Sequence, residues 1–272
     1  VSDVGGQLDS EDDPIVDAGD TDTGGGGRLD TGVASDVPSK NPSPQIWQLD
    51  RGADAWSVLE QGGKMRRNAP TEPVLAAFDV EHSDFAFLLT ADGIHKLHLH
   101  PIEWEAPLPF SEISPELKGA QIKAAVSDPE ESPDDEFSVF TIKNGTPKRF
   151  DGHFDVDSGS FEGVTAGPVD WMSDSAPTTT DLVAGWQEND NARDWFDGEP
   201  PCGVSPNDKF AAYQGFLTSQ NVYFHDVWYC KDYFRETPVQ MAGPALEGFP
   251  DVAKIGAAFW HARKMYLVAR TP

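Results

Sequence analysis

Seven histidines occur in the 272-residue chain, and only one group is close-set: His95-Lys96-Leu97-His98-Leu99-His100. On an extended strand His98 and His100 share one face while His95 points to the other. Two imidazoles at i and i+2 can supply two ligands of a copper or zinc site, with a third from a neighbouring element. The competing use is a solvated outer face over a core-facing Leu97 and Leu99. A second run, Asp155-Val156-Asp157-Ser158-Gly159-Ser160-Phe161-Glu162, alternates carboxylates around a glycine. It partly matches a calcium loop with Asp155, Asp157 and Glu162 as oxygen donors. The third Asp or Asn of such a loop is missing, which leaves an ordinary polar turn as the other reading. Calcium suits this sequence best: 46 Asp and Glu against 20 Lys and Arg give a net charge of −26, and a bound divalent cation would relieve that crowding.

Paired carboxylates can also serve as general acid and base at a glycosidic bond. Glu72, Asp170 and Asp208 stand on or just before segments expected to be inner strands, so a glycoside hydrolase is the enzymatic alternative to a binding protein. No GxSxG, GxGxxG or P-loop pattern occurs. The two cysteines, Cys202 and Cys230, have 27 residues between them and no CxxC spacing. One disulfide, worth about 3 kcal/mol by the chain-entropy model, is their simplest use, and two buried free thiols are the alternative. Of the eight tryptophans most recur at strand-like positions and belong to sheet packing. Trp104, in the loop-like Pro101-Ile102-Glu103-Trp104-Glu105, is the one expected as an exposed ligand contact.

The elements that must hold these residues are short strands. Ala76-Ala77-Phe78 recurs as Ala124-Ala125-Val126, Ala211-Ala212-Tyr213 and Ala257-Ala258-Phe259, each after an aliphatic or aromatic residue. With Val169-Asp170-Trp171 as a degenerate copy, the intervals are 48, 45, 42 and 46 residues. Alternating runs follow each copy, with turn formers such as Asn144-Gly145 between them, and no stretch keeps a helical period. Units of this size read as blades of a β-propeller, with paired alanines where inner strands crowd the axis. Residues 45–272 divided into five give about 45.6 residues each, which predicts five blades, with four as the alternative. The last unit is short of strands. Gln45 to Leu49 and Ala55 to Leu59 are expected to complete it and so remove open sheet edges.

Gly248-Phe249-Pro250 followed by Ile255-Gly256-Ala257-Ala258-Phe259-Trp260 and Lys264-Met265-Tyr266-Leu267 resembles a hemopexin-type repeat. Val74 to Phe78 and Ile122 to Val126 resemble its inner strand more loosely. The resemblance implies a propeller, four blades in that family, and a binding role; a copper- or haem-binding surface protein is a further alternative.

Residues 1–44 hold no aromatics and a run of four glycines, Gly24 to Gly27, and cannot bury enough apolar surface to offset ordering. They are expected to be a disordered linker before a propeller at 45–272. Residues 1–43 carry ten acidic and two basic side chains, leaving about −18 for the rest. Such an acidic, glycine-rich leader resembles in composition the tethers of bacterial surface lipoproteins, and Val1 in place of Met suggests a trimmed N-terminus. The expected protein is therefore extracellular, secreted or tethered, with a protein or glycan ligand. Nucleic acid is excluded as a partner by charge. No apolar run approaches the roughly 20 residues of a membrane span.

Overall fold

The computed structural model of the chain describes residues 43–50, 55–59, 68–80, 83–128, 136–155, 160–169, 177–188, 213–226, 234–238, 248–262 and 264–271. Their strands form four antiparallel sheets. The first contains β3 (Ala76–Asp79), β4 (Phe85–Leu89), β5 (Gly93–Leu99) and β6 (Ile102–Trp104), with the two-residue β7 (Leu108–Pro109) also paired to β5. The second runs β8 (Gln121–Asp128), β9 (Glu136–Lys143), β10 (Thr146–Asp155) and β11 (Ser160–Val169). The third runs β12 (Leu182–Glu188), β13 (Tyr213–Thr218), β14 (Asn221–Asp226) and β15 (Phe234–Pro238). In the fourth, β16 (Ile255–His261) and β17 (Lys264–Ala269) are continued by β1 (Ile46–Asp50) and β2 (Ala55–Val58). β1 lies antiparallel to β17, with Ile46 opposite Val268 and Gln48 opposite Tyr266. Helical structure in the described residues is confined to a four-residue helix, Phe110–Ile113, and two single 3-10 turns, Thr179–Asp181 and Val252–Lys254.

There are four blades, and the expected five is corrected. The inner strands are β3, β8, β12 and β16, each adjoining the next around the ring. Ala184-Gly185-Trp186 stands in the third where the others have Ala-Ala-Phe or Ala-Ala-Val. Tyr213, counted as an inner strand by its preceding alanines, opens the second strand of the third blade, between β12 and β14. Val169 ends the outermost strand of the second blade, opposite Arg149. With Ala77, Ala125, Gly185 and Ala258 as the equivalent residues, the intervals become 48, 60 and 73. The even period was an average over strands of different rank.

The small residues have a steric cause. Ala76, Ala77, Ala124, Ala125, Ala184, Ala257 and Ala258 are all wholly buried. A Cβ on Gly185 would lie 3.0 Å from Val126 and 3.2 Å from the Ala125 carbonyl oxygen. β3 and β12, on opposite sides of the ring, also approach each other, so the axis is filled by backbone and methyl groups. Three inner strands carry a bulge just before these residues, with Lys123, Val183 and Gly256 each the extra residue. Bulges re-aim a strand at functional rims, and these three mark the side where the inner strands begin.

Both faces of each sheet are covered, so the apolar side chains fall into four clusters, one per seam. Phe78, Phe87, Phe137, Phe154 and Phe161 fill the seam of the first and second blades, and Val126, Phe140, Leu182 and Phe216 that of the second and third. Trp186 and Phe224 meet Trp47, Trp56 and Trp260 between the third and fourth. Between the fourth and first, Ile46, Phe259 and Tyr266 meet Leu97, Leu99 and Trp104.

Candidate functional site

The outer strands of the first blade bring the close-set histidines to a pocket. β5 alternates: Leu97 and Leu99 turn into the seam, while Lys96 and His98 lie on the other face, with His98 opposite Glu103 of β6. Just past β6, Glu105 binds back to the same strand, its amide donating to the Lys96 carbonyl at 3.0 Å. Its carboxylate lies 2.6 Å from His98 Nε2 and 3.6 Å from Lys96 Nζ. Partial burial pushes the Glu105 carboxyl up, but the His98 hydrogen bond and the Lys96 charge outweigh this and hold it below the usual range. Asn68, with a left-handed φ of 66°, arrives from a distant part of the chain and donates its amide to the Trp104 carbonyl at 3.3 Å. Together Asn68, His98, His100, Glu103, Trp104 and Glu105 bound a pocket of about 470 Å³.

The expectation for Trp104 is corrected. It is 2% exposed, paired opposite Leu97 in β6 and packed in the seam with the fourth blade. The proline-containing run reads as a loop, yet strand alternation continues through it and turns the indole inward. Glu103 and Glu105, on the other phase of that alternation, are the residues the pocket presents. Their i, i+2 spacing after the histidines was the signal available in the sequence; Asn68 left none.

Of the other expected residues, His98 and His100 do share the pocket, with His98 already engaged by Glu105. Asp155 closes β10 opposite Ser160 of β11. Glu162 is exposed on β11. Asp157 lies outside the described residues, as do Asp170, Asp208, Cys202 and Cys230. Glu72 is exposed just before β3, whereas Asp170 follows an outermost strand and Asp208 precedes a second strand in the observed order. Among the described residues no group of three or more His, Cys, Asp or Glu is gathered to hold a metal ion.

A second constellation, missed in the sequence, lies where the inner strands end. Asp79 of β3 is mostly buried, and Ser127 Oγ of β8 donates to its carbonyl at 2.7 Å and to its carboxylate at 3.3 Å. His261 of β16 places Nδ1 3.8 Å from the same carboxylate. Asp79 and Ser127 are 48 residues apart, the interval of the repeat, so each follows an equivalent Ala-Ala pair. Burial raises the Asp79 pKa, and the contacts with His261 and Ser127 offset this only in part. The folded state therefore holds this proton to higher pH than the unfolded chain does. Its stabilising contribution is complete below the ordinary Asp pKa of 3.8 and is lost as pH rises through the raised folded value. Asp79→Asn keeps an acceptor for Ser127 without the buried charge. At pH 7 it is expected to melt a few degrees above wild type, with the gap closing as pH falls; a gap that is constant with pH would refute the buried-charge account.

No family model matches the chain, and no curated protein matches it. Solved structures do. A hemopexin-fold protein, CP4 from cow pea, aligns at 11% identity over 73% of this chain and 83% of its own, with a TM-score of 0.48. A plant albumin from Cicer arietinum showing hemagglutination gives 14% identity over 70% and 79%, with a TM-score of 0.44. A lectin with two metal-binding sites from the same plant gives 13% over 71% and 81%, at 0.41. The β-propeller itself rests on the four sheets and the ring of inner strands described above.

Proposed function

We propose that the chain is a non-enzymatic binding module that works outside the cell and takes a cationic group of a partner protein in the first-blade pocket. The observation that carries this reading is the pocket itself: two carboxylates, two imidazoles and an amide around about 470 Å³ at the outer edge of a strongly acidic chain. Complementary charge speeds encounter and selects among partners more than it adds affinity. The filled axis supports a binding role over a glycosidase, since carboxylates acting on a sugar ring need room of several ångströms between them. No described helix is long and apolar enough to cross a membrane.

The test is a titration of the full chain with hexalysine at two salt concentrations, beside the variant carrying both Glu103→Gln and Glu105→Gln. Wild type is expected to bind at least tenfold more tightly than the variant at 0.15 M salt. Equal binding would mean that the peptide reads only the general negative charge, and the pocket would lose its role. A neutral oligosaccharide that binds where hexalysine does not would replace the cationic partner by a glycan.

A further inference from the structure

The first-blade pocket carries its own counter-charges, and two of them are imidazoles. On β5 the side chains of Lys96 and His98 share a face, and His100 follows just past the end of the strand and lines the same pocket. His98 stands opposite Glu103 of β6 and opposite Phe85 of β4, so its neighbours across the sheet are one carboxylate and one uncharged ring. The Phe85 ring lies 6.1 Å from the imidazole, centroid to centroid. Lys96 Nζ sits 4.0 Å from the centre of that same ring and 3.6 Å from the Glu105 carboxylate. Asp84, one residue before Phe85, stands opposite Leu99 and so on the other phase. Asn68, on the remaining wall, is uncharged. Among the described residues, the charged and titratable groups that face His98 are therefore Lys96 and His100 on one side of the balance and Glu103 and Glu105 on the other.

The contact between His98 and Glu105 fixes which atom takes up a proton. A carboxylate only accepts, so at 2.6 Å the neutral imidazole carries its hydrogen on Nε2 and leaves Nδ1 as the basic nitrogen. The side chain is 35% exposed, so water reaches the ring. Imidazole changes charge between about pH 5 and 8. Glu105 is held below the usual carboxylate range and keeps its charge through that window. With both imidazoles neutral, Lys96 offsets one of the two carboxylates and the pocket is net negative. With both charged, three cations face two carboxylates, and the Nε2 bond to Glu105 becomes charge-assisted, a firmer hold on the acceptor that an incoming cation must share. Both changes act against a bound cation.

We propose that the pocket is a pH-gated cation site, which holds a cationic group of a partner protein near neutrality and releases it on mild acidification, with His98 and His100 as the groups that take up the protons. Such gating rests on the cation reading of this pocket and adds its regulation. Linkage requires the converse: a bound cation makes His98 harder to protonate.

Hexalysine is titrated into the full chain by calorimetry at about pH 7.5 and about pH 5.5, at a constant ionic strength of about 0.15 M in metal-free buffer. The peptide keeps its charge at both. Wild-type affinity is expected to fall about tenfold or more between the two, within the range usual for coupled sites. The chain carrying both His98→Gln and His100→Gln retains an amide donor for Glu105 and is expected to bind equally at the two pH values, whatever its affinity. His153→Gln, on the second blade, removes a titrating imidazole elsewhere and is expected to keep the full wild-type fall. Independently of any variant, the NMR titration midpoint of the His98 ring is expected to move to lower pH when hexalysine is present. A wild-type affinity that does not fall, a fall that persists in the double variant or vanishes in His153→Gln, or a His98 midpoint that hexalysine leaves in place overturns the gating while the pocket keeps its cation role. Equal binding at pH 7.5 by wild type and by the chain carrying both Glu103→Gln and Glu105→Gln removes the cation site itself, and the gating with it.

Discussion

A chain lacking residues 1–60 is expected to lose cooperative unfolding, whereas one lacking only residues 1–42 keeps every described contact of β1 and should melt as the full chain does. The longer deletion removes β1 and β2, and with them Ile46, Trp47, Leu49 and Trp56, all at most 7% exposed. Full burial of each such side chain is worth about 1.5–3 kcal/mol or more. Four together are on the order of 10 kcal/mol, comparable with the about 5–15 kcal/mol that holds a whole domain. The loss also strips two seams at once, because Ile46 packs toward the first blade and Trp47 and Leu49 toward the third. β17 would be left as an open edge, inviting pairing with other chains. Urea unfolding followed by tryptophan fluorescence and circular dichroism is the measurement. A single sharp transition in the shorter chain, coincident in both signals, would show that the seam strands are dispensable.

Phe78→Ala is expected to cost about 3–5 kcal/mol and to lower the melting temperature on the order of 10 °C. Phe78 is 1% exposed and stacks on Phe137 across the first seam, centroids 4.6 Å apart and rings 8° from parallel. Phe87 lies 5.3 Å away on its own blade, Phe154 and Phe161 at 5.9 and 6.5 Å on the other. Alanine here leaves a void walled by four rings fixed to two different sheets, and neither sheet can move in without opening the inner ring. Phe78→Leu should recover part of the loss. Val58→Ala on β2, at a side chain 50% exposed, is the control and should stay within about 0.5 kcal/mol of wild type. A Phe78→Ala midpoint close to that of the control would mean that the aromatic seam is not what holds the first two blades together.

Strand positions were legible where alternation and small residues coincided. Ala76-Ala77-Phe78, Ala124-Ala125-Val126 and Ala257-Ala258-Phe259 are inner strands because only small side chains fit where four backbones crowd. The same signal misled at Ala211-Ala212, since small residues also precede a second strand, and it hid the true third copy, where Gly185 replaces the second alanine. Blade count failed for a related reason. Residues 189–212 stretch the third unit, and a mean period is blind to one long connection. At the pocket, the outward phase of His98 followed from strand geometry. Its contact with Glu105 depends on how the chain turns back after β6, and the approach of Asn68 on a segment 36 residues before the Trp104 it contacts; neither leaves a periodic trace. Asp79 and Ser127 hold equivalent places 48 residues apart, the interval that already separates Ala77 from Ala125, whereas His261 stands one residue beyond the equivalent place in its strand and left no such trace.

The pairing of β1 with β17 also decides how the molecule carries tension. Ile46 sits opposite Val268, and the Ala269 amide donates to the Gln45 carbonyl at 2.8 Å, so the leading end of one strand and the trailing end of the other lie at the same end of the ribbon. Antiparallel ladder bonds run perpendicular to the strands. A pull applied between those two ends therefore loads them one at a time, as in opening a zipper, and not all together as in shear. Any load that reaches the domain through its two flanking segments meets this ribbon first. The strands that complete the fourth sheet are thus also the place where a modest, sustained force would begin to take the propeller apart.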